Sequence, residues 1–172
     1  MLFPPSRAAY DTEFDAYRSG TLAASPAVYV HAPDDPALRP DDDSEAWFVL
    51  VTAPRHEPGR GVDWAAPGVA ARYADRILAL MADRGVDVRH RIRHRVVRTP
   101  ADLERETLSP GGAIYGTSSD GALAAFLRPA NRSPVDGLHL VGGSAHPGGG
   151  LPLVTLSAEI TARLVCERSS GR

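Results

Sequence analysis

Leu138–Val165, LHLVGGSAHPGGGLPLVTLSAEITARLV, decides how this chain is read. A short apolar strand (Leu138, Leu140, Val141) runs into a loop carrying five glycines, and an amphipathic helix follows. That order brings bare backbone and a helix N-terminus up to one point. The glycines remove the Cβ atoms that would keep a ligand away. The helix start adds unpaired N–H groups and the positive end of its dipole. An anionic or electron-rich ligand suits such a place.

Outward from this stretch the chain alternates helix and strand signals. Ser6–Tyr17 carries Tyr10, Phe14 and Tyr17 at helical spacing, and Gly20 ends it. Pro26–Ala32 is β-rich, and Ala46–Ala53 (AWFVLVTA) is the most apolar run, which predicts a buried strand. Pro67–Arg84 predicts the clearest helix, with Val69, Tyr73, Ile77, Leu80 and Met81 as one stripe and Gly85 as its stop. Val86–Arg98 alternates and reads as a half-exposed strand. Thr99 and Pro100 are cap and first residue of another helical turn. Ser109–Pro134 is rich in Gly, Ser and Pro, long for a loop without a function. The fold class expected is α/β in the α+β sense. Gly59-Arg60-Gly61 does not follow a strand, and no Gly-x-Gly-x-x-Gly turn occurs, so the chain does not supply the first strand of a dinucleotide-binding fold.

Composition narrows the chemistry. At 172 residues the chain can fold as one domain with a sizeable core. A net charge of −2 gives no broad attraction to nucleic acid. The one basic run, Arg89–Arg95, reads as the solvated face of a strand. All 19 basic residues are arginine, which excludes a P-loop lysine and Schiff-base chemistry within this sequence. A single cysteine, Cys166, permits neither an intrachain disulfide nor a cysteine metal site, and a reducing cytoplasm fits it. The acidic turn Asp41-Asp42-Asp43 reads as a solvent loop, so no metal is expected. No apolar run approaches the ~20 residues that span a bilayer; a peripheral membrane contact stays open.

The blocks Tyr10–Phe14, Asp35–Pro40, Val62-Asp63-Trp64, Thr99–Leu103 and Gly112–Gly116 lead up to the two most specific ones. These are Arg128-Pro129-Ala130-Asn131-Arg132 and Gly142–Val154. Together they resemble the C-terminal third of the bacterial carotenoid (phytoene) desaturases, FAD-dependent oxidoreductases. The resemblance implies a two-domain flavoprotein of the glutathione-reductase-like FAD-binding type. Residues 1–108 would then be part of a substrate-binding domain with a mixed sheet. Residues 109–172 would be the C-terminal part of the FAD domain, ending in strand, Gly-rich loop and helix.

The resemblance further implies FAD as cofactor, with Gly142, Gly143 and Ser144 along the pyrophosphate and ribityl chain. Gly150, Leu151, Pro152, Leu153 and Val154 would start the helix that points at the pyrimidine edge of the flavin ring, and Gly149 beside them would also bind the cofactor. A helix start there suits the negative charge that reduced flavin carries near N1. The small residues Ser157, Ala158 and Thr161 would let the helix pack close to backbone. Ala130 and Leu153 depart from the family, where His and Gly are common. His146, between the Gly-rich loop and Pro147, reads as fixing the loop or touching the cofactor. A Ser144–His146–Asp136 triad has no nucleophile elbow to support it. Arg128 and Asn131 are the candidates for substrate contact, Arg128 equally for a structural role. The catalytic base is not identified. The function implied is desaturation of a long isoprenoid such as phytoene. The alternative is a non-catalytic truncated product, or a subunit that completes a flavoprotein with an N-terminal partner chain; a homo-oligomer is a further possible assembly.

Overall fold

The predicted apolar stripe forms helix α2 (Val69–Asp83), and its buried side chains Tyr73, Ile77 and Met81 build a core with Val28 and Trp64. The computed structural model of the chain describes residues 1–116 and 128–170. It falls into two compact units, Met1–Gly112 and Ala113–Arg172. In the first, Gly85 closes α2 with φ +89°. Its N–H donates to the Ala82 carbonyl (2.9 Å) and that of Val86 to Met81 (2.9 Å), the paired bonds of a Schellman end. The Trp64 indole N–H donates to the Pro54 carbonyl (2.8 Å), and the ring meets Tyr73 edge-on at 5.8 Å. Burial, with Glu13 nearby, pushes the Tyr73 hydroxyl up to about 12.

Strands β1 (Val28–His31) and β2 (Phe48–Val51) pair antiparallel, with Val28 opposite Val51 and His31 opposite Phe48. Leu2 bridges Val28 on the far side of β1. Residues directly opposed share a face, so Val28, Val30, Val49 and Val51 look toward α2, while Tyr29, His31, Phe48 and Leu50 look away. The expected mixed sheet is thus corrected to a two-stranded antiparallel one among the described residues. The expected buried strand at 46–53 is corrected too. Phe48 is 57% and Leu50 52% exposed, because nothing among the described residues covers that face.

Helix α1 (Arg7–Arg18) starts where the Ser6 hydroxyl accepts the Ala9 N–H (3.1 Å). Its buried residue is Glu13, outside the aromatic stripe that the spacing singled out. The Glu13 carboxylate accepts from the Tyr17 hydroxyl (2.5 Å) and the Ala27 N–H (2.9 Å), tying α1 to the entry of β1. Those bonds compensate the burial of a charged side chain.

Val86–Arg98 is not a strand. A 3-10 turn occupies Arg89–Arg91, and residues 89–98 are exposed. Val88, Ile92 and Val96 would share one face of a strand, but among the described residues no strand pairs with 86–98. Four of the arginines are paired with acids: Arg89 with Asp87 (2.6 Å), Arg93 with Asp41 (3.2 Å), Arg95 with Asp75 (2.6 Å) and Arg98 with Glu106.

Helix α3 (Pro100–Thr107) has the cap expected of Thr99-Pro100, completed as a capping box. The Thr99 hydroxyl accepts the Asp102 N–H (3.3 Å), and the Asp102 carboxylate accepts the Thr99 N–H (2.8 Å). Bonds from Thr99, then Arg105, hold the Asp102 carboxyl below its usual value. A carboxylate with a depressed folded-state pKa lends stability above its unfolded value near ~3.9, lost as pH falls through the folded value. Thr99→Ala is expected to lower stability by about 1 kcal/mol. The difference in urea midpoint between wild type and Asp102→Asn should shrink as pH falls through that range; an unchanged difference would deny the carboxylate its role.

In the second unit, helix α4 (Leu151–Ser170) follows the Gly-rich loop as expected. The strand expected at Leu138–Val141 is corrected to a hairpin with one bridge, Arg132 opposite His139. The Leu140 N–H donates to the Asn131 carbonyl (2.8 Å) and that of Ser133 to Leu138 (3.3 Å). A strand needs a neighbouring ladder, and among the described residues only 131–133 lies alongside. Among these residues no helix is long and apolar enough to cross a membrane, and no group of three His, Cys, Asp or Glu converges as a metal site.

Candidate functional site

The loop from Gly142 to Gly150 turns through three positive φ angles, at Gly142 (+112°), Gly148 (+143°) and Gly150 (+95°). Side chains rarely adopt this region, so glycine is required at these three positions for the backbone alone. The His146–Pro147 peptide is cis. Beside Gly142 and Gly150 the space a Cβ would take is open. Gly149 differs: a Cβ there would lie 2.1 Å from the Tyr115 ring, so this ring fills the flank of Gly149. A Cβ at Gly116 would likewise lie 2.7 Å from Ser144.

Two polar side chains hold the loop. Arg128 Nη1 donates to the Tyr115 and Gly143 carbonyls, both at 2.9 Å, clamping residues 115 and 143 together. Asn131 is buried, and its Nδ2 donates to the Leu140 carbonyl (3.0 Å) and to Ser157 Oγ (2.9 Å), with Thr161 Oγ1 at 3.3 Å. Ser157 Oγ accepts the Gly142 N–H (3.2 Å), and the Thr161 hydroxyl donates to the Leu140 carbonyl (3.1 Å). Asn131, Ser157 and Thr161 thus fasten the loop entrance to the inner face of α4.

Ser157 and Thr161 pack inward as their size suggested, whereas Ala158 is exposed. The helix is less amphipathic than its sequence suggested, for its inward residues include these two hydroxyls while Leu151 stands 85% exposed. Ser144 and His146 are exposed; the His146 N–H donates to the Pro129 carbonyl (2.9 Å).

The start of α4 has free backbone donors and no neighbouring acid or base in the sequence. The Val154 N–H donates to the Gly150 carbonyl (2.9 Å), closing the first turn. The N–H groups of Leu151 and Leu153 precede that bond and have no partner within the helix. Pro152 contributes no donor. Gly142–Val154 contains no Asp, Glu, Lys or Arg, and the first acid of α4 is Glu159, two turns on. Nothing nearby in the sequence opposes the positive dipole end. A surface concavity of about 480 Å³ in this unit lies elsewhere, between Arg132–His139 and Glu167. Tyr115 is the participant that residue-by-residue reading passed over. Its signal was the Gly112–Gly116 block, GAIYG, met only as a motif.

Arg128→Ala is expected to destabilise the second unit by about 1–2 kcal/mol, since two carbonyls lose a charged donor. Hydrogen exchange should quicken around residues 143–146, and Arg128→Lys should recover part of the protection. Unchanged exchange in both variants would remove the clamp.

No family model matches the chain. Individual proteins do: over about nine-tenths of its length the chain is similar to carotenoid desaturases, in their C-terminal part. The 1-hydroxycarotenoid 3,4-desaturase of a Flavobacterium species is 36% identical over 161 residues, covering 91% of this chain and 32% of that protein. The neurosporene-forming phytoene desaturase of Rhodobacter capsulatus is 36% identical over 155 residues, 88% of this chain and 29% of that protein. A 4,4'-diapophytoene desaturase of Staphylococcus aureus is 31% identical over 147 residues, 83% and 29% respectively. The chain spans about a third of the length of the curated relatives it matches.

Proposed function

We propose that this chain is the C-terminal part of an FAD-dependent oxidoreductase that desaturates a long isoprenoid, phytoene or another carotenoid. The observation that carries the reading is the Gly142–Val154 segment without Asp, Glu, Lys or Arg, with open space beside Gly142 and Gly150 at the start of α4. It occurs in a chain whose similar proteins are named for acting on carotenoids. The reading takes the wider architecture as a two-domain flavoprotein of the glutathione-reductase-like type. Residues 1–108 contribute to its substrate-binding domain and 109–172 to its FAD domain.

When bound, FAD would supply the redox chemistry by accepting a hydride from an allylic carbon of the substrate. The residues of this chain have a positioning task. The backbone of Gly142 and Gly143 would lie along the cofactor's phosphate side, with open space beside Gly142. Gly150, Leu151 and Leu153 would present the N-terminal end of α4 to a bound flavin, where its dipole would favour negative charge on the ring. Arg128 and Asn131 act behind this surface by keeping the loop in shape. His146 has no base role assigned to it. A long isoprenoid is bilayer-soluble, so the reading puts the protein in the cytoplasm with a peripheral membrane contact.

The test is an absorbance spectrum of the purified chain, alone and co-expressed with the N-terminal part of a similar desaturase, followed by phytoene turnover. Little flavin is expected with the chain alone, because it has no Gly-x-Gly-x-x-Gly segment. About one flavin per complex and a shift of phytoene to longer conjugation are expected for the pair. A pair that binds no flavin overturns the reading.

A further inference from the structure

Of the five glycines between Gly142 and Gly150, two, Gly143 and Gly149, have no positive φ, so the backbone alone does not demand glycine there. A Cβ at Gly143 would make ordinary contacts, the nearest 3.5 Å from the Gly149 Cα. A Cβ at Gly149 would lie 2.1 Å from Tyr115 Cδ1 and 2.6 Å from Cε1. What requires glycine at 149 is the ring of Tyr115. The two residues are a matched pair, a ring and its seat.

The segment 114–116 follows the loop on this side. The Ile114 carbonyl oxygen lies 3.7 Å from where a Gly143 Cβ would stand, and Gly116 faces Ser144. Arg128 fixes the register, since its Nη1 joins the Tyr115 and Gly143 carbonyls at 2.9 Å each. With its main chain clamped and one ring edge on bare backbone, Tyr115 has few orientations left. Yet the residue is 54% exposed. A glycine seat and a charged clamp thus hold an aromatic ring half out of the surface. They do so one residue before Gly150, where the space is open and α4 begins.

We infer that Tyr115 is a cofactor-contacting residue, its exposed ring lying against the isoalloxazine when flavin is bound. The inference rests on the function proposed above and adds a wall to that cofactor site. A planar, electron-poor ring system is the ligand that an electron-rich phenol ring fits, by offset or edge contact. The neighbouring segment carries no Asp, Glu, Lys or Arg that would select an ion in its place. The contact has an optical consequence. An excited isoalloxazine takes an electron from a touching phenol and returns it, so its emission is quenched with no net chemistry. Phenylalanine has the same ring and is far harder to oxidise.

The test is co-expression of the full chain with the Rhodobacter capsulatus neurosporene-forming phytoene desaturase lacking the C-terminal part matched here. Flavin content, flavin dissociation constant, emission per bound flavin and amide exchange at 143–149 are measured on the complex. Tyr115→Phe should keep the wild-type flavin content and exchange while its emission per bound flavin rises at least threefold. Tyr115→Leu, which loses the ring, should raise emission as well and weaken flavin binding at least tenfold. Flavin as dim in Tyr115→Phe as in wild type overturns the inference, as does wild-type flavin affinity in Tyr115→Leu. Faster exchange at 143–149 in Tyr115→Leu with unchanged emission makes the ring a prop of the loop and also overturns it. A raised KM for phytoene with unchanged emission assigns the ring to the polyene and overturns it likewise. A wild-type complex without flavin overturns the proposed function and this inference together, whereas bound flavin indifferent to Tyr115 overturns the inference alone.

Discussion

Asn131→Ala should destabilise the second unit by about 2–4 kcal/mol, because a buried donor vanishes and its acceptors stay behind. The Leu140 carbonyl keeps the Thr161 hydroxyl, but Ser157 Oγ loses its side-chain partner, and a small void opens beneath α4. Asn131→Asp gives a sharper reading. A carboxylate there would face the Leu140 carbonyl in a buried place, which favours its neutral form and raises its folded-state pKa. A raised acid pKa means the variant holds its fold at low pH and loses stability as pH climbs past the unfolded value near ~3.9. Denaturation midpoints between pH 4 and 8 should therefore fall for Asn131→Asp relative to wild type. A residue whose task is touching substrate predicts otherwise: flat stability in both variants and a change in KM alone. Flat denaturation curves would return Asn131 to the substrate side of the site.

What could be read from the sequence was whatever is settled within a few neighbours. The Thr99–Asp102 box and the Gly85 stop of α2 involve residues three to five apart, and both stand where the spacing puts them. The Gly-rich loop running into a helix is equally local. Long-range partners were harder. Leu138–Val141 has strand composition but only a short ladder beside it, so it closes as a hairpin. Ala46–Ala53 has the composition of a buried strand and stands exposed, since hydrophobicity states a need for cover without naming its source. Residues 86–98 misled because arginines alternating with aliphatics imitate strand alternation, while their acidic partners come from Asp41, Asp75 and Glu106, far off in sequence. Glu13 was passed over in favour of Tyr10 and Phe14 because a buried carboxylate depends on the Ala27 amide, fourteen residues away. At the site, glycine placement was legible, but which glycine faces open space was not. Gly149 and Gly150 are neighbours with different surroundings, and Tyr115 makes the difference. Within 117–127, part of the irregular Ser109–Pro134 segment lies outside the described residues.

In a two-chain enzyme assembled with a desaturase N-terminal part, Gly150→Val should lower flavin occupancy at least tenfold. Gly150 has φ +95° and nothing within 4 Å of where a Cβ would stand. The Cβ of a valine there meets no protein atom within 4 Å, so its local penalty is mainly the backbone strain of a β-branched residue in that region, about 1–3 kcal/mol. It would project into the space where the proposed flavin sits, or else rotate the loop and turn the start of α4 away. Gly149→Val separates the two effects. Its backbone needs no positive φ, and the side chain collides with the Tyr115 ring, which is exposed and can swing outward. Flavin loss for Gly149→Val should be the smaller of the two. Gly85→Val, also at positive φ with open space around it, supplies the remote control: a similar drop in stability, with flavin retained. Flavin absorbance per chain and thermal midpoint, measured on all three, decide the matter. If Gly150→Val and Gly85→Val keep equal flavin, the loop is a turn before a helix and the ligand binds elsewhere.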